Sequence, residues 1–373
     1  MVRILHTADW QIGKQFGQFG AEEAALLNEA RLETVKNVAA LASGRNVDAV
    51  LVAGDVFDQQ TVSDTVIRRL FGALTGYSGP WVLLPGNHDA ALAESVWSRA
   101  ARLGCIPANV RVVIEPGVLL LEEVGLAILA APLTQRNTYD DVTAFFDHTD
   151  TPESLIRVGL AHGSVTGRLP DSADSANPIA ANRAQTARLD YLALGDWHGM
   201  LSIDERTWYA GTPEPDRFKG NEPGFVLDVS IMGLGQPPTV TPVRVAKHTW
   251  DRWDALISVP SDVEVIEAKL AELTERNVLQ IVVQGSCDLT ASESIERAIE
   301  EARARVRALR SDTSELRLAP TEAELAQLGA QGGYLAKAVE RLKALQEDPE
   351  HGAAAHEALL LLARFQRERR AMQ

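Results

Sequence analysis

The sequence predicts an α/β protein: a two-sheet sandwich flanked by helices, then a small α/β domain and a C-terminal helical segment. Three observations predict it. Over the first hundred or so residues, apolar runs of strand length alternate with helix-period segments, the βαβαβα rhythm of a sheet with crossover helices. Between residues 117 and 246 strand-like runs continue with few helices among them, which a second, more antiparallel sheet packed on the first would explain. Beyond about residue 250 the alternation resumes, and from Pro320 onward the chain is almost wholly helical in character.

The elements follow in order. VRILHT (2–7) enters a strand directly, so no leader peptide is expected. Residues 21–43 have helical periodicity, with Gly44 as the stop. DAVLVAG (48–54) reads as a buried strand, Ser63 as the cap of a helix to about Leu74, WVLLPG (81–86) as the next strand and Glu94–Leu103 as the next helix. Further strands are expected near 117–121, 126–131, 156–161, 191–195, 207–210, 224–231 and 242–246. Residues 163–188, rich in Ser, Asp, Ala, Asn and Pro, form a long connection, either a substrate edge or a plain surface loop.

A boundary near 245–255 divides the chain into expected domains 1–248, 249–319 and 320–373. The middle one reads as strand ALISV, helix VEVIEAKLAELTER, strand VLQIVVQG, helix SESIERAIEEARARVRALR and strand SELRLAP, with a ferredoxin-like pattern as one option. In the last, Leu335, Val339, Leu342 and Leu345 share one helix face, and Leu359 to Leu362 with Phe365 make the final helix strongly apolar. Such faces must be covered, by the chain's own middle domain or by a partner's helices.

The 373 residues, 46% hydrophobic and 23% charged, are ordinary for globular domains with ample core. Two distant cysteines, Cys105 and Cys287, indicate buried thiols rather than a disulfide framework or zinc cluster. No apolar run is long enough to span a membrane, so a cytoplasmic protein is expected. A net charge of −15 argues against a broadly basic DNA-coating protein. It leaves room for a nuclease, because bound cations would reverse the field where phosphate docks.

Five stretches carry the chemistry: ILHTADWQ (Asp9, Gln11), LVAGDVFD (Asp55), LLPGNHDA (Asn87, His88), VGLAHG (His162) and LALGDWHG (Asp196, His198). Each places ligand-type residues where a strand should run into a loop. A parallel-type sheet delivers such loops to one rim. A cluster of Asp, Asn and His there is what two divalent metals about 3.5–4 Å apart would need. Taken singly, each residue has an ordinary reading: Asp9 and Asp55 as caps, Asn87 and Asp89 as turn residues, a lone histidine as a hydrogen-bonded one. The ordered set with its glycines does not.

This set resembles the calcineurin-like metallophosphoesterases, whose signature runs D-x-H, G-D, G-N-H-D/E, H and G-H-x-H. The resemblance covers roughly residues 1–245. Within that superfamily HTADW, GDVFD and WYAGTPEPDRF, with the layout beyond residue 250, are most similar to the SbcD-type DNA repair nucleases. Two positions depart: Gln11 stands where the family has His, and Asp196 where it has the first His of its pair.

The resemblance implies a DNA-end phosphodiesterase with two divalent ions. Asp55 would bridge them. Asp9, Gln11 and His198 would complete one site, and Asn87, His162 and Asp196 the other. His88 would be catalytic rather than a ligand. It also implies a capping domain after residue 248, a homodimer, and C-terminal helices gripping an SbcC-like coiled-coil ATPase. Gln11 and Asp196 make the ligand shell more oxygen-rich and more negative by one charge, which favours manganese, then magnesium, over zinc. Lys14, Arg217 and Lys219 are candidates for phosphate contacts. Trp10, Phe16, Trp197 and Phe218 are expected to pack on the rim rather than stack on bases, and His6 and His248 to be structural. Two other readings stay open: hydrolysis of a small phosphodiester or cyclic nucleotide, and a catalytically impaired DNA-binding scaffold.

Overall fold

The structure, a computed structural model, describes residues 1–169, 176–329 and 333–371. The chain divides into two compact units, Met1–Trp250 and Asp251–Gln373. The first runs β1 (Val2–Thr7), α1 (Ala21–Gly44), β2 (Ala49–Ala53), α2 (Asp64–Ala73), β3 (Trp81–Leu84), α3 (Val96–Arg102), β4 (Val110–Val112), β5 (Gly117–Leu121), β6 (Leu126–Ala131), β7 (Ile156–His162), β8 (Ser164–Val165), β9 (Pro178–Ile179), α4 (Arg183–Thr186), β10 (Tyr191–Gly195), β11 (Leu201–Ser202), β12 (Thr207–Tyr209), β13 (Phe225–Ile231) and β14 (Thr239–Arg244). Two six-stranded sheets result, ordered β14-β13-β1-β2-β3-β4 and β11-β12-β10-β7-β6-β5.

Alternation along the strands assigns each side chain to a layer, because successive residues face opposite sides of a sheet. Ile4, Leu51, Val82 and Leu84 of the first sheet share one core with Ile128, Val158, Leu160 and Ala193 of the second. Their neighbours Leu5, Val50, Val52, Trp81 and Leu83 face the other way, under Val35, Val38 and Ala42 of α1 and Ile67, Leu70 and Phe71 of α2. The outer face of the second sheet is covered by Phe146, Ile179, Ala184 and Leu189 from its connections. Strands covered on both faces must be apolar throughout, as β2 and β3 are. Ser63 caps α2 by accepting from Val66 N, and Ser95 caps α3.

The second sheet is not the more antiparallel one expected. β6–β7, β7–β10 and β10–β12 pair parallel, and only β5–β6 and β11–β12 pair antiparallel. The first sheet has the same balance, with β1–β2, β2–β3 and β3–β4 parallel. A parallel pair needs a crossover, but the crossover need not be a long helix. Here a 3-10 turn at Ala144–His148 and the single-turn α4 lie in those connections. Scarce helical periodicity is therefore a poor guide to strand direction. The strand expected at 242–246 is Thr239–Arg244, aligned by β13 through Phe225↔Arg244. β4 was not anticipated; at three residues it is too short to show periodicity. The connection 163–188 contains β8, β9 and α4, and its residues 170–175 lie outside the described residues.

In the second unit β15 (Thr249–Ile257), α5 (Ser261–Ala271), β16 (Asn277–Cys287), α6 (Leu289–Arg303) and β17 (Ala308–Leu318) precede α7 (Glu322–Gly329), α8 (Gly333–Leu345) and α9 (Gly352–Ala371). The sheet order is β15-β16-β17. This βαβαβ order lacks the hairpin of the ferredoxin-like pattern, so that option falls. The fourth predicted segment also splits: α6 stops at Arg303 and Ala308–Arg310 open β17, because parallel pairing places Leu309 beside Leu279. Val339 of α8 and Leu359 of α9 bury against Leu289 at the head of α6, while Tyr334, Leu361 and Phe365 stay exposed. Among the described residues no helix is long and apolar enough to cross a membrane.

Candidate metal centre

The parallel strands β1, β2 and β3 of one sheet and β7 and β10 of the other end at one rim. Asp9 and Gln11 follow β1, Asp55 follows β2, Asn87 and His88 follow β3, His162 ends β7, and Asp196 follows β10. The backbone bends sharply at these points. Asp9 (φ 53°), Gln11 (φ 48°), Asp55 (φ 53°) and Asp196 (φ 105°) all lie in the left-handed region. Such conformations cost roughly 1–3 kcal/mol each and persist where the surroundings over-determine them. Here the loops lock one another: Asp9 N donates to Gly54 O at 3.0 Å, and Gln11 N to Asp55 O at 2.9 Å. Two glycines make room. Gly54 (φ +88°) lies where a Cβ would collide with the His162 ring, and Gly86 where one would collide with Asp55 Oδ1.

His162 is the hub. Its Nδ1 lies 2.9 Å from Ala53 O and 4.0 Å from Asp9 Oδ1. Its Nε2 lies 3.1 Å from Asn87 Oδ1, 3.6 Å from Asp55 Oδ1 and 3.8 Å from Asp196 Oδ1. Burial alone would lower its pKa, but the carboxylates of Asp55, Asp9 and Asp196 outweigh burial and raise it to about 9. Burial raises Asp9 to about 6 and also raises Asp196. Asp196 N donates to Asp9 Oδ1 at 3.1 Å, and Ser164 Oγ to Asp196 Oδ2 at 2.9 Å.

These residues fit a divalent cation. Asp9, Asp55 and His162 are buried, and their ligand atoms lie within 4.8 Å of one another. Three carboxylates crowd one imidazole, a charge balance that a cation would relieve. Gln11 adds a buried Oε1 without a hydrogen-bond partner among the described residues, while its Nε2 donates to Asp55 Oδ2 at 2.7 Å.

His88 is half-buried beside this cluster. Its backbone N donates to Asp55 Oδ1 at 2.9 Å, and its Nδ1 meets Asp58 O at 2.7 Å. Asp89 is fully buried and accepts from Gly86 N and Phe57 N, tying the third loop to the second. His198 faces a neighbouring network: Nδ1 is 3.1 Å from Asp216 Oδ2 and 2.7 Å from Arg217 Nη2. Lys14 Nζ joins it, 3.3 Å from Asp216 and 3.4 Å from Asp58. Lys219 is exposed and outside that network. Trp10 and Phe16 are buried and cannot stack on bases, whereas Trp197 and Phe218 are half-buried. His6 bridges the sheets through Tyr191 and Leu194 O, and His248 pairs with Glu214.

Two residues here escaped the sequence. Burial would raise Asp216, but His198, Arg217 and Arg31 hold it well below the usual carboxylate range. It sits in PEPDRF, a segment whose acids carry no ligand-like spacing. Arg31, buried in α1, donates to Trp10 O, Asp9 O, Glu214 O and Thr212 Oγ1 and so clamps the first loop. A single arginine in a helical pattern gives no signal of that.

The model of the calcineurin-like phosphoesterase family matches residues 2–200. The chain belongs to that family. Its curated relatives include the SbcD subunit of the nuclease SbcCD from Rhodobacter capsulatus, 41% identical over 97 residues (24% of this chain, 22% of that one). The Bacillus subtilis SbcD subunit is 25% identical over 267 residues, 62% of this chain and 66% of that one. Its counterpart from Escherichia coli K12 is 40% identical over 101 residues, 25% of this chain and 23% of that one. The chain thus spans between about a fifth and just under two thirds of these relatives' lengths. Among solved structures it resembles TT1561 of Thermus thermophilus, with TM-score 0.41 and 14% identity over 65% of this chain and 99% of that one. The convergence of β1, β2, β3, β7 and β10 at one rim accounts for the grouping of Asp9, Asp55, Asn87, His162 and Asp196, which are otherwise remote in sequence.

Proposed function

We propose that this chain is a metal-dependent phosphodiesterase that hydrolyses DNA at its ends. The observation that carries the reading is the convergence of three carboxylates, Asn87 and His162 on one rim beside His88. Relatives named as nuclease subunits support DNA as the substrate. Two divalent ions, manganese first and magnesium second, would be held by Asp9, Gln11 and Asp55 on one side, joined by His198 once its ring leaves Arg217, and by Asp55, Asn87, His162 and Asp196 on the other. Bound there, they would supply Lewis acidity and a water activated near neutral pH.

The chain's own groups do the rest. Asp58 O holds His88 through Nδ1, so Nε2 is the atom left to protonate the departing 3′ oxygen. Arg217 and Lys14, gathered by Asp216, would orient phosphate. Lys219, on the exposed side, would add a screened contact. The residues 249–319 would cap the DNA path. The helices of 320–373 would dock an SbcC-like coiled-coil ATPase, a reading supported by exposed Leu361 and Phe365, four apart on α9. A homodimer in the cytoplasm completes the proposal.

The test is digestion of end-labelled linear DNA with manganese by the wild type, His88→Ala and Asp55→Ala. Cleavage by the wild type alone supports the reading. Cleavage only of a chromogenic small phosphodiester would replace DNA with a small substrate, and no hydrolysis with or without an ATPase partner would leave a scaffold.

A further inference from the structure

Gln11 is fully buried, and its backbone is pinned on both sides. Its own N donates to Asp55 O, and the following Ile12 N donates to Val56 O, both at 2.9 Å. Only its side chain is free to change. In this structure Nε2 donates to Asp55 Oδ2 at 2.7 Å, and Oε1 is buried with no partner among the described residues. That orientation has a chemical cause. An ionised carboxylate only accepts hydrogen bonds, so it selects the amide nitrogen and leaves the oxygen stranded. Turning the amide over would set two oxygens face to face, which is unfavourable unless a cation lies with them.

The opposite side of Asp55 is held by backbone rather than by a side chain: Oδ1 accepts from His88 N at 2.9 Å. Asp55 Oδ1, Asn87 Oδ1 and Asp196 Oδ1 surround His162 Nε2 at 3.6, 3.1 and 3.8 Å. His162 Nδ1 is already committed to Ala53 O, which leaves Nε2 facing these oxygens. A cation there meets side-chain oxygens of Asn87 and Asp196 already turned inward and reorients no side chain bonded to Asp55. A cation on the Gln11 side must first separate a charge-assisted hydrogen bond, although it then satisfies Oε1.

We propose that Gln11 is a two-way ligand. Its amide closes one cation position by holding Asp55 Oδ2, and opens it by turning Oε1 inward, so the two positions fill in order and with unequal affinity. The inference rests on the two-cation reading above and adds an order of loading. Loss of one charge-assisted hydrogen bond corresponds to a gap on the order of ten- to a hundredfold between the two dissociation constants.

The experiment is manganese titration of the metal-free full chain, read by calorimetry and by the electron spin resonance of the bound ions, without DNA. The wild type should take one ion with an uncoupled spectrum, then a second at least about tenfold more weakly, with onset of spin coupling. Gln11→His keeps the charge and offers an imidazole nitrogen, and should bring the two affinities within a fewfold of each other. Thermal melts confirm that the variant is folded. Equal affinities in the wild type overturn the proposal. So does a second ion that never binds, or a gap unchanged in folded Gln11→His. Because these readouts need no turnover, failure of DNA cleavage leaves the inference standing, and a flat titration leaves the nuclease reading to its own test.

Discussion

His162 Nδ1 lies 2.9 Å from the carbonyl oxygen of Ala53, so the last residue of β7 in one sheet is tied to the last residue of β2 in the other. That bond does two things. It orients the ring with Nε2 toward Asp55, Asn87 and Asp196, and it makes the candidate metal rim a property of how the two sheets pack. Disturbing either partner should therefore be felt at the rim.

Gly54→Ala should damage the centre without touching a ligand. The position has φ +88°, and a Cβ there would run into the His162 ring. Left-handed backbone alone costs about 1–2 kcal/mol for a residue with a Cβ. Displacing a ring held by its outer hydrogen bond typically costs about 10–100-fold in metal affinity. Metal content after dialysis and a thermal melt would show both losses, and full metal retention would refute the coupling.

Without metal, stability should fall as pH rises from about 6.5 to 9. His162, raised from 6.5 to about 9, sets that window, whereas Asp89, raised by burial first and Asp55 second from 3.8 to about 7, has lost most of its share below it. Each adds stability that is complete below its unfolded value and lost as pH passes the folded one. His6 works the other way and only below its ordinary value of 6.5: burial lowers it to about 3, so acid favours the unfolded chain at that residue. His162 alone accounts for at most about 3 kcal/mol across its window. Urea titrations in chelator at pH 6.5, 7.5 and 9 should show the decline, and saturating manganese should flatten it, since the cation replaces the proton.

His88→Ala should leave metal content intact and slow DNA cleavage by about 10²–10⁴-fold. The ring is held by Asp58 O through Nδ1, beside rather than within the carboxylate cluster. Loss of metal together with activity would instead make His88 a ligand.

Asp216→Ala should be more costly than its place outside the five motifs suggests. The carboxylate is buried beside His198, Lys14 and Arg217. Removing it takes the anion from Arg217 and leaves Lys14 only Asp58, at about 1–3 kcal/mol, less than for a fully buried pair because both cations reach solvent. A chemical denaturation midpoint within error of the wild type would contradict this.

Much of the candidate site was legible in the sequence because its ligand-type residues sit at strand ends, and strand ends are marked locally by apolar runs and glycines. Asp9, Asp55, Asn87 and His162 were found that way, and the structure brings them together. Asp216 and Arg31 were not, because their roles depend on partners from other parts of the chain. Arg31 donates to Glu214 O across 183 positions. The direction of β7 and β10 was missed for a related reason: periodicity reports burial of a strand's faces and says nothing about its neighbour's direction.

The sequence by itself determined the βαβ rhythm, the buried central strands, the cap at Ser63 and the residue types at the rim. Each depends on a pattern only a few residues long. Tertiary structure alone decided that Gln11 shows Asp55 its nitrogen, that His198 faces Asp216 and Arg217, and that Val339 and Leu359 bury against Leu289. Those outcomes are set by the hydrogen-bonding and packing needs of groups that only the closed fold makes neighbours.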